Sequence, residues 1–336
     1  MFNFDVPRYE KVVNGAISLR KDIEQVVDGI CQKGFKNLYL IGIGGTYAHF
    51  LPIKYMMETI STLEVHVEIA AEFVLKNPRF FGPDSLCLFT SRTGKTREVV
   101  AAAKYCRDKG ATTVGFVSHD NTPLTEIVDF KFINFAEDDN LAESIYLQII
   151  PAVFRIMYNR GEFPQYGKMM DQMNNLTPYL IKAKEQHEKF TKDFAEHNKD
   201  VDYYMVVGSG NVWGEAYDYA MCILEEMQWI KTKSIHAAEF FHGTLELVEK
   251  DTRIILLYGE DETRPLMDRV KNFAVRFSDE VSIFDTASVT LPFDADLRKY
   301  FAPVVIYAVT ERLSCHLERV RNHPLTTRRY YNQIPY

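Results

Sequence analysis

The chain has 336 residues, 46% of them hydrophobic and 25% charged, the composition of a globular protein with room for two domains of ordinary size. A formal net charge of −7 gives no electrostatic reason to bind nucleic acid or an anionic membrane, so an anionic ligand would need locally placed donors. Asp5, Arg8 and Glu10 interrupt the apolar run a signal peptide needs, and no stretch approaches a transmembrane helix. The five scattered cysteines, without CxxC spacing, read as reduced thiols of a cytoplasmic protein.

Residues 8–30 carry the apolar spacing of an amphipathic helix. "NLYLIGIGG" follows, a short apolar run ending in glycines, and a helical pattern opens at Tyr47: strand, tight loop, helix. Strands are expected at 65–70, 85–90, 112–117 and 130–135, with helices at 96–109 and 141–159. Such alternation predicts an α/β fold with a parallel sheet covered by helices on both faces. Periodicity lapses in "RGEFPQYGKMMDQMNN", so a first domain is expected over 1–162, a linker at 163–175 and a second domain from 176 to 336. After a long helix at about 177–197, "VDYYMVVGSGNVWGEAYDYAMCILEE" repeats the layout of "KNLYLIGIGGTYAHFLPIKYMMET", and further strands are expected at 252–259 and 281–285. The pattern is that of a duplicated α/β unit with weak residue identity between its halves.

Both glycine loops, "GIGGTY" and "GSGNVW", keep the first two glycines of the dinucleotide fingerprint and lose the third to Tyr47 and Trp213. A tight turn without a ligand explains the second loop better than the first. "SRTGKT" at 91–96 is not a Walker loop, because Phe89 stands where the first glycine belongs. It nonetheless sets the hydroxyls of Ser91, Thr93 and Thr96 beside Gly94, Arg92 and Lys95 at a strand-to-helix junction. Helix N-terminal amides with nearby hydroxyls suit a phosphate; serine and threonine there also serve as plain caps.

"EEMQWIKTKSIHAAEFFHG" (225–243) gathers Glu226, His236, Glu239 and His242. On one helix the six residues from His236 to His242 turn through about 600°, which points the two rings apart, and the metalloprotease spacing is absent, so no metal is expected. An acid–base reading pairs Glu226, on a helix expected to be apolar along Tyr217, Met221 and Leu224, with His242 in a turn before a strand-like "TLELVE". A solvated acidic face and a surface histidine fit the same residues.

"LIGIGGTY", "SRTGKT" and "AEFFHG", in this order and with a second α/β unit carrying the last, resemble the double SIS (sugar isomerase) family, which includes the isomerase half of glucosamine-6-phosphate synthase. The resemblance implies two tandem SIS domains, each a parallel sheet flanked by helices. It implies a sugar-phosphate site at Gly45, Thr46, Ser91, Arg92, Thr93 and Thr96. It also implies a catalytic Glu226 sixteen residues before His242, with Glu239 at a third shared position. "EMQWI", "EFFHG" and the tail "HPLTTRRYY" are similar to the deglycase branch, whose members split phosphorylated sugar–amino acid adducts. The synthase lysine one turn before the glutamate is Ile223 here, and the tail offers Arg328 and Arg329 in place of a C-terminal lysine. By this resemblance the expected activity is release of glucose 6-phosphate and an amino acid from a fructosamine 6-phosphate, without metal or cofactor, in a homodimer that shares its sites. A deglycase for C2-linked glucoselysine 6-phosphate, an aldose–ketose isomerase and a non-catalytic sugar-phosphate sensor are the competing expectations.

Overall fold

The computed structural model describes residues 1–331 and 333–335. It divides into two compact units: Asp5–Thr177, and the chain from Pro178 onward together with Met1–Phe4.

The first unit comprises α1 (Val6–Ser18), α2 (Arg20–Lys33), β1 (Asn37–Gly42), α3 (Gly45–Ile60), β2 (Glu64–Ile69), α4 (Ala70–Lys76), β3 (Ser85–Ser91), α5 (Arg97–Asp108), β4 (Thr112–Val117), β5 (Phe130–Ile133), α6 (Ala142–Asn159) and α7 (Tyr166–Met173). Its sheet runs β2-β1-β3-β4-β5 with every pairing parallel. β1 and β3 are buried at every position, as central strands with both faces covered must be. Tyr39 and Ile41 of β1 and Phe89 of β3 pack on one face against Phe73 of α4 and Val99 of α5. The helix expected over 8–30 is two helices. Asp5 caps the first by accepting from the Arg8 N–H at 3.0 Å, and Leu19 ends it by donating to Ala16 O while it accepts from Ile23 N. A bidentate Arg155–Asp28 pair, at 2.6 and 2.7 Å, ties α2 to α6.

Residues 163–175, expected as a linker, contain α7. Tyr166, Met169, Met170 and Met173 stand at helical spacing and are all buried, so the segment is part of the first unit's core.

The remaining elements are α8 (Leu176–His197), β6 (Tyr203–Gly208), α9 (Trp213–Asp218), a π-helical segment (Tyr219–Glu225), α10 (Glu226–Gln228), β7 (Lys231–His236), β8 (Ile254–Tyr258), α11 (Arg264–Phe277), β9 (Val281–Asp285) and α12 (Ala302–Arg321). The unit division falls in the first turn of α8. The second sheet runs β7-β6-β8-β9, again all parallel. "TLELVE" is not a strand: Thr244–Leu247 is a 3-10 turn with Leu247 exposed. The first residues of the chain belong here because Phe2 N donates to Glu188 Oε1 at 2.7 Å and Phe2 O accepts from the buried Arg312, which also pairs with Glu188 at 2.9 Å. Among the described residues no helix is long and apolar enough to cross a membrane, and all five cysteines are free.

Each sheet places its second strand outside its first and its third inside. The chain direction around the sheet therefore reverses between β1 and β3, and between β6 and β8. In open parallel sheets such reversals leave a crevice at the carboxyl ends of the strands.

Candidate functional site

In the first unit that crevice is bordered by both loops singled out above. Gly42, the last residue of β1, has no room for a side chain: a Cβ would lie 2.6 Å from Tyr47 N. Gly44 takes φ +57°, which an L side chain resists, and hands the chain to α3 at Gly45. Thr46 folds back, its Oγ1 accepting from Ile43 N at 3.0 Å and donating to Ile43 O at 2.9 Å, and no side chain caps α3.

The β3 loop has the same character. Ser91 Oγ accepts from Gly94 N at 3.1 Å and lies 3.3 Å from Thr96 Oγ1. Thr96 stands at the N-cap of α5 without capping it. Thr93 Oγ1 accepts from Lys95 N at 3.3 Å. Gly94, at φ +63°, is pressed against Thr122. Thr90 Oγ1 reaches Thr46 O at 3.5 Å and so links the two loops. The structure thus brings Gly45, Thr46, Ser91, Thr93 and Thr96 to one edge of the sheet, below two helix N-termini without side-chain caps. Both helix dipoles and their leading amides favour an anion there. Arg92 is turned aside, its guanidinium donating to Asp138 O.

The corresponding crevice of the second unit is filled by the protein itself. Asp261 Oδ2 accepts from Asn211 N at 3.0 Å, and its Oδ1 accepts from Thr263 N at 2.9 Å and Thr263 Oγ1 at 2.6 Å. Gly210, at φ +53°, passes so close that a Cβ would meet Asp261 Oδ1 at 2.2 Å. A carboxylate therefore takes the amides an external anion would use, which explains why the second glycine loop needs no ligand.

The second unit's own cluster surrounds Glu226. Arg328 Nη2 pairs with Glu226 Oε1 at 2.9 Å, while its Nη1 donates to Leu325 O and Thr327 O at 2.7 and 2.9 Å. Gln228 Nε2 donates to His323 O at 2.8 Å, the Trp229 ring meets His323 edge-on at 4.5 Å, and Arg329 lies 4.1 Å over the same indole. Trp229 holds a left-handed φ of +56°, a strained position for a bulky residue. The segments "EMQW" and "HPLTTRR", far apart in the chain, therefore meet through Glu226 with Arg328, Gln228 with His323, and Trp229 with His323 and Arg329.

Asp218, which sequence reasoning passed over, belongs to this cluster. Burial pushes its carboxyl up to about 6; a Cys222 hydrogen bond acts against the shift, and the Glu226 charge adds to it. A π-helical segment lies between Asp218 and Glu226. The buried side is Ala216, Tyr219, Ala220, Ile223 and Leu224, whereas Tyr217 and Met221, expected on the apolar face, are half-buried. Such π insertions recur at functional sites.

Glu226 precedes β7, and the "AEFFHG" turns follow it. Glu239 N donates to His236 O and His242 N to Glu239 O, while the fully buried Phe240 anchors the turn. Glu239 and His242 are exposed, and Gly243 takes φ +129°. His236 packs edge-on against Trp213 at 5.3 Å and accepts from Ala238 N, and burial holds its ring below the usual histidine range despite Glu239 nearby. The structure brings Arg328 to Glu226, while β7 stands between Glu226 and His242 in the chain. Among the described residues no three metal-ligating side chains converge.

A model of the SIS domain matches residues 34–152. Over 324 residues, 95% of this chain and 98% of the relative, the sequence is 30% identical to fructosamine deglycase FrlB of Bacillus subtilis strain 168. The chain belongs to the SIS-domain family. This SIS protein is also 25% identical over 332 residues to a fructoselysine 6-phosphate deglycase of Escherichia coli O157:H7, covering 98% of this chain and 94% of the relative. Its fold matches a crystal structure from Bacillus subtilis described as a phosphosugar isomerase, with a TM-score of 0.88 at 29% identity over 98% of this chain and 99% of the other. The two parallel sheets are tandem SIS domains, and the sequence falls in the deglycase branch.

Proposed function

We propose that this SIS protein is a deglycase that converts a fructosamine 6-phosphate and water into glucose 6-phosphate and a free amino acid. The observation that carries the reading is the meeting of "EMQW" with "HPLTTRR" around Glu226, since both segments resemble the deglycase branch and each supplies a charged group to the same point. Relatives named as fructosamine and fructoselysine 6-phosphate deglycases support it.

In this reading the phosphate binds the loops bearing Gly45, Thr46, Ser91, Thr93 and Thr96. Binding energy from this unreactive end positions the open-chain sugar. Glu226 takes a proton from C1, which leaves an enaminol, and a proton returns to C2. The resulting C1 imine adds water and releases the amine, so the C–N bond breaks with no change in overall oxidation state. His242 serves as acid or base at the sugar oxygen during ring opening. Each such acid–base group is worth about 10²–10⁴ in rate. His242 is supplied by a second copy of the chain in a homodimer, the arrangement the family resemblance implies. Glu239 supports the histidine loop.

The test is release of glucose 6-phosphate from fructose-asparagine 6-phosphate and fructoselysine 6-phosphate, followed with a coupled dehydrogenase. Glu226→Gln is expected to abolish turnover and spare sugar-phosphate binding; more than about a tenth of wild-type activity in that variant would remove Glu226 as the base. Mixed Glu226→Gln and His242→Ala subunits are expected to regain activity, and no rescue after verified exchange counts against a shared site.

A further inference from the structure

The Glu226–Arg328 contact poses a chemical problem for the reading above, on which this inference rests. A general base needs its carboxylate available to the proton it abstracts, yet an arginine donates to Glu226 Oε1 at 2.9 Å. The arginine is not a casual surface neighbour. The Arg328 side chain is 16% exposed and that of Glu226 30%. The tail reaches this point through a series of fixed turns: His323 N donates to Glu318 O at 3.1 Å, Leu325 N to Glu318 Oε1 at 2.9 Å, and Thr327 N to Pro324 O at 2.9 Å. Arg328 Nη1 is held by the tail's own carbonyls, so the guanidinium is aimed before any ligand arrives. The neighbouring Arg329 is committed to the Trp229 ring.

Substrate chemistry supplies a competitor for this arginine. In an adduct formed through an α-amino nitrogen, the amino-acid carboxyl carbon is three bonds from sugar C1, the atom Glu226 would deprotonate. A carboxylate placed there lies within reach of the group that now holds Glu226, and guanidinium–carboxylate pairing has the same geometry for either anion.

We propose that Arg328 is the specificity-determining receptor for the amino-acid carboxylate of the substrate, and that Glu226 occupies it until that carboxylate arrives. The incoming carboxylate takes the guanidinium and leaves Glu226 facing C1. A sugar phosphate lacking the carboxylate leaves the Glu226–Arg328 pair intact and is processed poorly. The exchange moves no covalent bond and replaces one ion pair with another, so its cost is small when the correct substrate binds.

The experiment compares two adducts of the same sugar phosphate. One carries asparagine linked through its α-nitrogen; the other carries 3-aminopropanamide, which is asparagine without its carboxyl group. The ratio of their kcat/KM values is measured for wild type, Arg328→Gln and Arg328→Lys. Both substrates are assayed on each preparation, so partial misfolding cancels in the ratio. Wild type is expected to prefer the carboxylate adduct by about 10²–10³-fold, the range expected when one member of a hydrogen-bonded charge pair is lost. Arg328→Gln is expected to bring the ratio below about 10, through a loss on the first adduct and a gain on the second, and Arg328→Lys to recover part of it. A ratio unchanged in Arg328→Gln, or a wild type indifferent to the carboxylate, overturns the proposal while leaving the deglycase reading intact. Failure of wild type to release glucose 6-phosphate from either adduct overturns the proposal, and failure on fructoselysine 6-phosphate as well overturns the deglycase reading.

Discussion

Gly94→Ala tests whether the Ser91–Thr96 loop is shaped by its glycine. The residue sits at φ +63°, and a Cβ there would lie 2.1 Å from Thr122 Oγ1 and 2.7 Å from Thr122 Cβ. Thr122 cannot move aside readily: it is buried, its N–H donates to Thr125 Oγ1 at 2.8 Å, and Thr125 Oγ1 donates back to Thr122 O at 2.9 Å. The left-handed backbone costs a non-glycine residue about 1–2 kcal/mol, and forcing a methyl into a packed site costs about 1–3 more, giving a loss of about 2–5 kcal/mol. Gly161→Ala isolates the first contribution, because Gly161 has φ +75° with nothing within 4 Å of its Cβ position. Urea unfolding of both variants, with sugar-phosphate binding by calorimetry, separates the effects. Gly94→Ala is expected to have the lower midpoint and to lose phosphate affinity, while Gly161→Ala keeps it. Equal midpoints, or full affinity in Gly94→Ala, would refute the packing argument.

Three further outcomes follow from buried or hydrogen-bonded carboxylates. Asp261→Ala strands the amides of Asn211 and Thr263 and should destabilise the protein by about 2–4 kcal/mol in urea titration, with Asp261→Asn intermediate. Burial opposes ionisation of Glu162, but hydrogen bonds from Arg160, Ser61 and Thr62 outweigh it and hold the carboxyl at about 2 against 4.5. Its stabilising effect relative to Glu162→Gln should be complete above pH 4.5 and vanish as the pH falls to about 2. Asp218 has the opposite sign: with its carboxyl raised from 3.8 to about 6, the folded state holds a proton the unfolded chain releases. Asp218→Asn should therefore gain stability over wild type as pH rises from about 4 to 6, and the difference should level off above that.

The sequence revealed those parts of the fold whose residues answer to local periodicity. β1, β3, β4 and β8 are apolar runs because helices cover both their faces, and their positions follow directly from the pattern. β7 gave no such signal: it is an edge strand, "KTKSIH", in which only Ile235 is buried. "TLELVE" alternates like a strand, yet it follows a glycine at φ +129° and closes as a 3-10 turn. The helix α7 was masked by its flanking Gly, Pro and Asn, although Tyr166, Met169, Met170 and Met173 already stood at helical spacing. Within the candidate site, the hydroxyl loop could be read locally because its residues lie within six positions. Asp218 stands eight residues before Glu226, with Cys222 midway, a spacing any helix keeps to one side; what marks it out is its burial, on which the local pattern is silent. The union of Arg328 with Glu226 depends on how the chain beyond α12 turns back, which no local pattern encodes.

The most direct test of the central claim uses fructose-asparagine 6-phosphate carrying two deuterium atoms at C1. Proton removal from C1 by Glu226 requires the product to be glucose 6-phosphate with one deuterium left at C1, and Glu226→Gln should form none. Fructose 6-phosphate retaining both deuterium atoms would mean that the C–N bond was cleaved without deprotonation at C1, and would contradict the account.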